Sequence, residues 1–148
     1  MSYKRIAIVM AMQAEAQPLI ERLELAERPE PSLPIRMFEN ATGDCALITN
    51  GRDAVTGADN VGTQPATLAA WLAVERCKPH LLLNAGTAGG FAARGAAIGD
   101  VYLSAEAIRF HDRRIPLPGY EAYGIGNYPV IDAGDLAWEL GLKTGIVS

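Results

Sequence analysis

Ile6-Ala7-Ile8-Val9-Met10-Ala11-Met12-Gln13-Ala14-Glu15-Ala16-Gln17-Pro18-Leu19-Ile20-Glu21-Arg22-Leu23-Glu24 joins two hydrophobic patterns at one point. Ile6 to Met12 is an unbroken apolar run, the pattern of a strand covered on both faces in a parallel sheet. From Gln13 to Glu24 the apolar residues fall at Ala16, Leu19, Ile20 and Leu23, which is helical spacing. Pro18 is placed near the start of that helix, where a missing N–H matters least. A buried strand running directly into a helix is the opening unit of an α/β fold.

The same alternation continues along the chain. Three prolines between Glu27 and Pro34 predict a surface loop. Ile35 to Phe38 and Cys45 to Thr49 form a predicted hairpin, with Asn40 and Gly43 supplying the turn. Asn50 to Asn60 is polar and reads as a loop, and a helix rich in Ala and Leu is expected from Thr63 to Cys77, with Pro65 in its first turn and Lys78-Pro79 ending it. His80 to Asn84 is a second buried strand, followed by a glycine-rich loop from Ala85 to Gly99. Asp100 to Ser104 predicts a strand that can continue to Phe110. His111 to Asp132 has no clear period, and a stretch that long without structure is usually functional or interfacial. Leu136 to Leu140 is a short helix closed by Gly141, and Thr144 begins another buried strand. The predicted class is α/β with a mixed, mainly parallel sheet.

Composition excludes several functions. With 49% hydrophobic and 20% charged residues the 148-residue chain is globular rather than disordered. A net charge of −4 offers no basic footprint for nucleic acid or anionic membranes. No apolar run approaches the ~20 residues that span a bilayer, and Glu15 interrupts any signal-peptide pattern after Lys4 and Arg5. Cys45 and Cys77 build no disulfide framework and match no metal-ligand spacing, so two reduced thiols and a cytoplasmic location are expected. Trp71 and Trp138 sit at helix positions and are expected in the core. His80, beside a proline at a strand start, is read as structural.

Ligands of open α/β sheets bind beyond the carboxyl ends of the strands. That rule selects Met10 to Glu15, Gly51 to Asp53 and Ala85 to Gly90. Glu15 can complement the helix dipole, or serve as a general base that activates water; the residue pattern leaves both open. Asn84-Ala85-Gly86-Thr87-Ala88-Gly89-Gly90 lacks the dinucleotide-binding fingerprint. Its glycines permit close backbone approach to a ligand and the Thr87 hydroxyl can bond a sugar or water, although an ordinary tight loop has the same composition. His111-Asp112-Arg113-Arg114 is the one concentrated charge cluster; loop anchoring suits it better than a catalytic dyad, because adjacent residues rarely face each other.

Four segments together carry a resemblance: Ala11-Met12-Gln13-Ala14-Glu15, Asn84 to Gly90, Ile98-Gly99-Asp100-Val101, and Phe110-His111-Asp112-Arg113-Arg114-Ile115-Pro116. In this order and spacing they resemble the 5′-methylthioadenosine/S-adenosylhomocysteine nucleosidases of the nucleoside phosphorylase superfamily. Gly51-Arg52-Asp53, Val61-Gly62-Thr63 and the run from His111 to Pro116 are closest to the plant-type branch, which acts mainly on methylthioadenosine. The resemblance covers essentially the whole chain. It implies a three-layer αβα sandwich and a homodimer that hydrolyses the N-glycosidic bond of methylthioadenosine without metal or cofactor, giving adenine and a thioribose sugar. By the same resemblance Glu15 is the nucleophile-activating carboxylate. Gly86 and Thr87 lie beside the ribose and attacking water, and Met12 lies in the wall of the sugar pocket. Pro118 and Tyr120 cross the dimer interface to close the neighbouring subunit's alkylthio pocket.

Phosphorylases of this fold carry a glycine and an arginine soon after the first strand, and another arginine before the Gly-Thr loop. Here Met10 to Gln17 contains no arginine and Leu83-Asn84 stands at the second place. Phosphate binding calls for arginine forks, so these residues favour water, provided that Glu15 faces Thr87 with no guanidinium nearby to hold an inorganic anion. A nucleoside phosphorylase is the first rival, separated by phosphate dependence. A non-catalytic, truncated nucleoside-binding module is the second, and a flavodoxin-like domain is disfavoured because no phosphate loop opens a helix. The family's purine-protonating and ribose-clamping motifs do not occur in the chain. Residues 1–148 are therefore expected to be the N-terminal portion of a single domain, with little activity alone, and S-adenosylhomocysteine acceptance depends on residues beyond Ser148.

Overall fold

The structure, a computed structural model, describes residues 4–29, 33–111 and 114–147. It divides into two compact units, Met1–Ala88 and Gly89–Ser148. In the first, β1 (Ile6–Met10) leads into α1 (Gln13–Arg22), followed by β2 (Ala26–Arg28), β3 (Arg36–Glu39), β4 (Cys45–Thr49), α2 (Thr63–Cys77) and β5 (Leu81–Asn84). The sheet order is β2-β3-β4-β1-β5. β1 pairs in parallel with both β4 and β5, whereas β3 runs antiparallel to its neighbours β2 and β4.

The unbroken apolar run of β1 follows from its central position. Ala7 and Val9 turn to one face, where they pack with Ile48, Met37 and the α2 residues Ala69, Leu72, Ala73 and Cys77. Ile8 and Met10 turn to the other, against Phe38, Leu47 and the α1 residues Ala16 and Ile20. Side chains alternate across a strand with period two, so a strand covered on both faces has no polar position. The result is three layers, α1 and α2 enclosing a mixed sheet, as expected. Leu47 is fully buried in the α1 layer. Leu47→Ala removes its contacts and leaves a cavity; an expected loss of about 2–5 kcal/mol of unfolding free energy is checked by denaturant titration.

The β3–β4 hairpin turns as its sequence implies, with Gly43 at φ +70° and the Asn40 side-chain oxygen accepting the Cys45 N–H at 3.2 Å. α2 ends where Lys78 turns into the left-handed region ahead of Pro79.

The second unit holds β6 (Tyr102–His111), α3 (Glu121–Gly124), β7 (Ile125–Pro129), α4 (Gly134–Glu139) and β8 (Lys143–Val147). Its sheet order is β7-β6-β8, antiparallel between β6 and β7 and parallel between β6 and β8.

Several expectations are corrected. Residues 26–28 form a strand rather than the start of a loop, because β3 supplies hydrogen-bond partners to an exposed segment. β7 lies inside the stretch expected to lack structure, drawn into pairing by β6. Pro18 stands within α1, a turn beyond the tolerated first position, so the Ala14 carbonyl loses its usual helical donor. Trp71 and Trp138 are 59% and 86% exposed, because the inward faces of their helices are taken by Leu72 and Ala73 in one and by Ala137 in the other. β5 and β8, expected to be buried, are mostly exposed within their units, each standing at a sheet edge. Asp112 and Arg113 lie outside the described residues, and His111 is exposed at the end of β6. Cys45 and Cys77 are free thiols, both raised by burial above the usual thiol range. Among the described residues no helix is long and apolar enough to cross a membrane, and no group of His, Cys, Asp and Glu could hold a metal ion.

Candidate active site

Because β4, β1 and β5 are parallel, their carboxyl ends emerge along one edge. Met10 pairs with Thr49 and Val9 with Asn84, so the residues after each strand start level with one another. Ala85 extends the pairing with its N–H on the Val9 carbonyl at 3.1 Å. The three places chosen from the sequence therefore share this edge.

α1 starts immediately beyond β1, with Met12 as its N-cap residue in an extended conformation. Glu15 occupies the third helical position. A glutamate there can turn back to the N-cap amide, and the nearby Met12 N–H helps to hold the Glu15 carboxyl down. The same carboxylate reaches across to the loop after β5. Glu15 Oε1 accepts the Thr87 N–H at 2.9 Å and the Thr87 hydroxyl at 2.5 Å. Gly86 lies alongside: a Cβ placed there would stand 3.4 Å from Glu15 Oε2 and cover that oxygen. Lacking one, Gly86 leaves this side of the carboxylate open to a small molecule.

Burial pushes the Glu15 carboxyl up, but the Thr87 hydroxyl, the Thr87 N–H and the Met12 N–H more than offset it; the neighbouring Asp59 charge opposes them. The net position is below the usual carboxylate range. Glu15 is thus an anion at neutral pH, fixed in direction by two donors from Thr87. It can complement the helix N-terminus and accept a proton from water.

The structure brings Glu15, Thr87, Gly86 and Met12 together in the first unit. Pro118 and Tyr120 belong to the second unit. Both are exposed there; Pro118 lines a groove of about 520 Å³ with Arg114, Pro116, Glu121 and Ile125, and the Tyr120 ring packs 5.5 Å from that of Tyr123.

One expectation needs correction. Met10 to Gln17 contains no arginine, yet the loop after β4 delivers a guanidinium to the start of α1. Asp59 Oδ1 accepts the Gln13 N–H at 3.4 Å, and Arg52 Nε lies 3.3 Å from that oxygen. Arg52 is therefore present at this edge, but paired with a carboxylate. Asp59 carries no local signal in the sequence; its partner Gln13 is 46 positions away, and only the parallel pairing of β1 with β4 brings them together.

Residues 5–140 match the phosphorylase superfamily. The chain is 40% identical over 149 residues to the 5′-methylthioadenosine nucleosidase of Arabidopsis thaliana, an alignment covering 97% of this chain and 55% of that protein. It is 42% identical to a 5′-methylthioadenosine/S-adenosylhomocysteine nucleosidase of the same plant, over 97% of this chain and 58% of the relative. Among solved structures, the apo form of the Arabidopsis 5′-methylthioadenosine nucleosidase superposes with a TM-score of 0.90 at 39% identity, covering 99% of this chain and 62% of that one. The chain thus spans a little over half the length of these relatives. With a three-layer unit whose parallel strand ends gather Glu15 and Thr87, and with residues 5–140 matching the same family, the chain belongs to the phosphorylase superfamily.

Proposed function

We propose that the protein cleaves the N-glycosidic bond of 5′-methylthioadenosine with water, and that residues 1–148 form the N-terminal portion of one such hydrolase domain. The observation that carries this reading is the carboxylate of Glu15 held by the Thr87 hydroxyl and N–H at the strand edge. In the reaction, a water oxygen bonds to the sugar's anomeric carbon as its bond to the purine nitrogen breaks. The electron pair leaves with adenine, which must gain a proton, and Glu15 takes the proton released by the water. Cleavage of this kind passes through an oxocarbenium-like state, so a fixed anion beside the reacting carbon also offsets developing positive charge.

Thr87 keeps the carboxylate aimed, Gly86 leaves it accessible, and Met12 borders the sugar. Pro118 and Tyr120 serve a neighbouring copy in a homodimer, closing its alkylthio pocket. Methylthioadenosine is the primary substrate and S-adenosylhomocysteine the candidate second one, in keeping with the names of the two plant relatives. The setting is cytoplasmic.

Hydrolysis rather than phosphorolysis is supported by the absence of arginine from Met10 to Gln17 and by the pairing of Arg52 with Asp59. The test is adenine release from methylthioadenosine by the full-length protein in phosphate-free buffer. The expected rate is unchanged when millimolar phosphate is added, and the sugar product carries no phosphate. Adenine release that requires phosphate would assign a phosphorylase instead.

A further inference from the structure

We propose that Asp59, held by Arg52, is a positioning residue for Glu15: it anchors the turn of α1 on which Glu15 stands and sets the charge facing the Glu15 carboxylate. The inference deepens the hydrolytic reading and takes its functional meaning from it.

The sequence places Asp59 in a polar loop, but that loop is tightly built. Asn50, fully buried at the end of β4, donates from its side chain to the Asn60 carbonyl at 2.9 Å, and the Asn60 N–H returns to the Gly51 carbonyl at 2.9 Å. Arg52 and Asp59 pair as a β-bridge, and the Asp53 N–H bonds the Ala58 carbonyl at 2.9 Å. The two arms of the loop thus hold each other, and Asp59 is presented on a fixed backbone. Its Oδ1 then serves two donors, the Gln13 N–H at 3.4 Å and Arg52 Nε at 3.3 Å. Gln13 is the first helical residue of α1, where a backbone N–H has no partner within the helix. One carboxylate oxygen therefore ties the start of α1 to the loop after β4.

Glu15 is in the same helical turn, so it stands between two anchors. On one side Thr87, uncharged, holds its carboxylate from the loop after β5. On the other, the loop after β4 presents Asp59 with Arg52 paired to it. The side chains of Gln13 and Gln17, from α1 itself, are uncharged and bonded to each other at 3.1 Å. Burial and the Asp59 charge resist ionisation of Glu15, against the donors from Thr87 and Met12. A general base works best when it is ionised at working pH but still basic enough to accept a proton. Asp59 supplies basicity that the three donors remove, and Arg52 limits how much.

The two partners have opposite expected effects. Removing the Asp59 charge makes Glu15 more acidic; removing the Arg52 charge leaves Asp59 uncompensated and makes Glu15 less acidic. The experiment follows the Glu15 carboxyl by ¹³C NMR titration in the full-length protein, in Asp59→Asn and in Arg52→Gln, with Glu15→Gln to assign the signal. The expected midpoint falls in Asp59→Asn and rises in Arg52→Gln, each by on the order of half a pH unit. This is smaller than a close buried pair would give, because these groups are partly exposed. The acid limb of kcat/KM for adenine release should move with each midpoint. Equal midpoints in all three proteins, with melting temperatures lowered by the substitutions, would make Asp59 a structural cap only and overturn the proposal. If Glu15→Gln releases adenine at the parental rate, the hydrolytic reading fails and Asp59's role falls with it. Unmoved midpoints with Glu15→Gln inactive overturn this inference alone.

Discussion

Glu15→Gln is expected to lower kcat for adenine release by about 10²–10⁴-fold, the usual contribution of a positioned general base. The amide keeps the shape of the side chain, and its oxygen can still accept the Thr87 N–H and hydroxyl that Glu15 Oε1 accepts. The substitution therefore removes basicity and charge with little change of packing. Melting temperature should stay within a few degrees of the parent, since Glu15 is only half-buried and its bonds are largely retained. KM should change much less than kcat, because the lost interaction is one made in the transition state. The pH profile carries a further expectation with a definite sign. The carboxyl of Glu15 is held below the usual range, chiefly by Thr87 acting against burial. A base depressed in this way is active above its pKa and loses activity as pH falls through it. The acid limb of kcat/KM should therefore lie below that of an ordinary glutamate, leaving activity flat down to mildly acidic pH. A drop of less than tenfold in Glu15→Gln would remove this carboxylate from the chemistry.

Gly51→Ala is expected to cost about 3 kcal/mol or more of stability, through backbone strain and a clash together. Gly51 has φ +74°, in the left-handed region, and a Cβ at that position would lie 1.5 Å from the Pro34 carbonyl oxygen. No rotamer change can relieve a contact between a Cβ and a backbone carbonyl. Either the Pro34–Ile35 backbone moves, disturbing a core that contains Ile35, or the loop after β4 shifts and carries Asp59 away from α1. Gly57 provides the control. It has φ +71° with nothing within 4 Å of an added Cβ, so Gly57→Ala carries the left-handed penalty alone, about 1 kcal/mol. The difference between the two variants in denaturant titration measures the clash. Equal losses would show that the segment around Pro34 gives way easily.

Much of this architecture is legible in local pattern. The apolar run of β1, the spacing of α1 and the span of α2 are properties of neighbouring residues, and the helix predicted over Thr63 to Cys77 has those bounds in the structure. Glu15 and Thr87 were identifiable because a parallel sheet gathers the residues after its strands on one edge. β2 and β7 were not. Ala26–Arg28 is wholly exposed, and Ile125–Pro129 includes a glycine, an asparagine and a proline. Neither has a strand's alternation; each is extended because a neighbour offers a row of hydrogen-bond partners. The tryptophans were misplaced for a related reason. Helical position was visible, but which face the sheet would claim was not.

By itself, then, the sequence determined the α/β class, the order of the first strand and its helix, and the identity of one carboxylate and one hydroxyl at the strand ends. The tertiary structure alone decided that these two meet, 72 positions apart, and that Asp59 brings Arg52 to the same helix start. Periodicity records which side of an element is apolar, since that is fixed within a few residues. Contacts across parallel strands depend on which strands become neighbours, and no short stretch of chain contains that information.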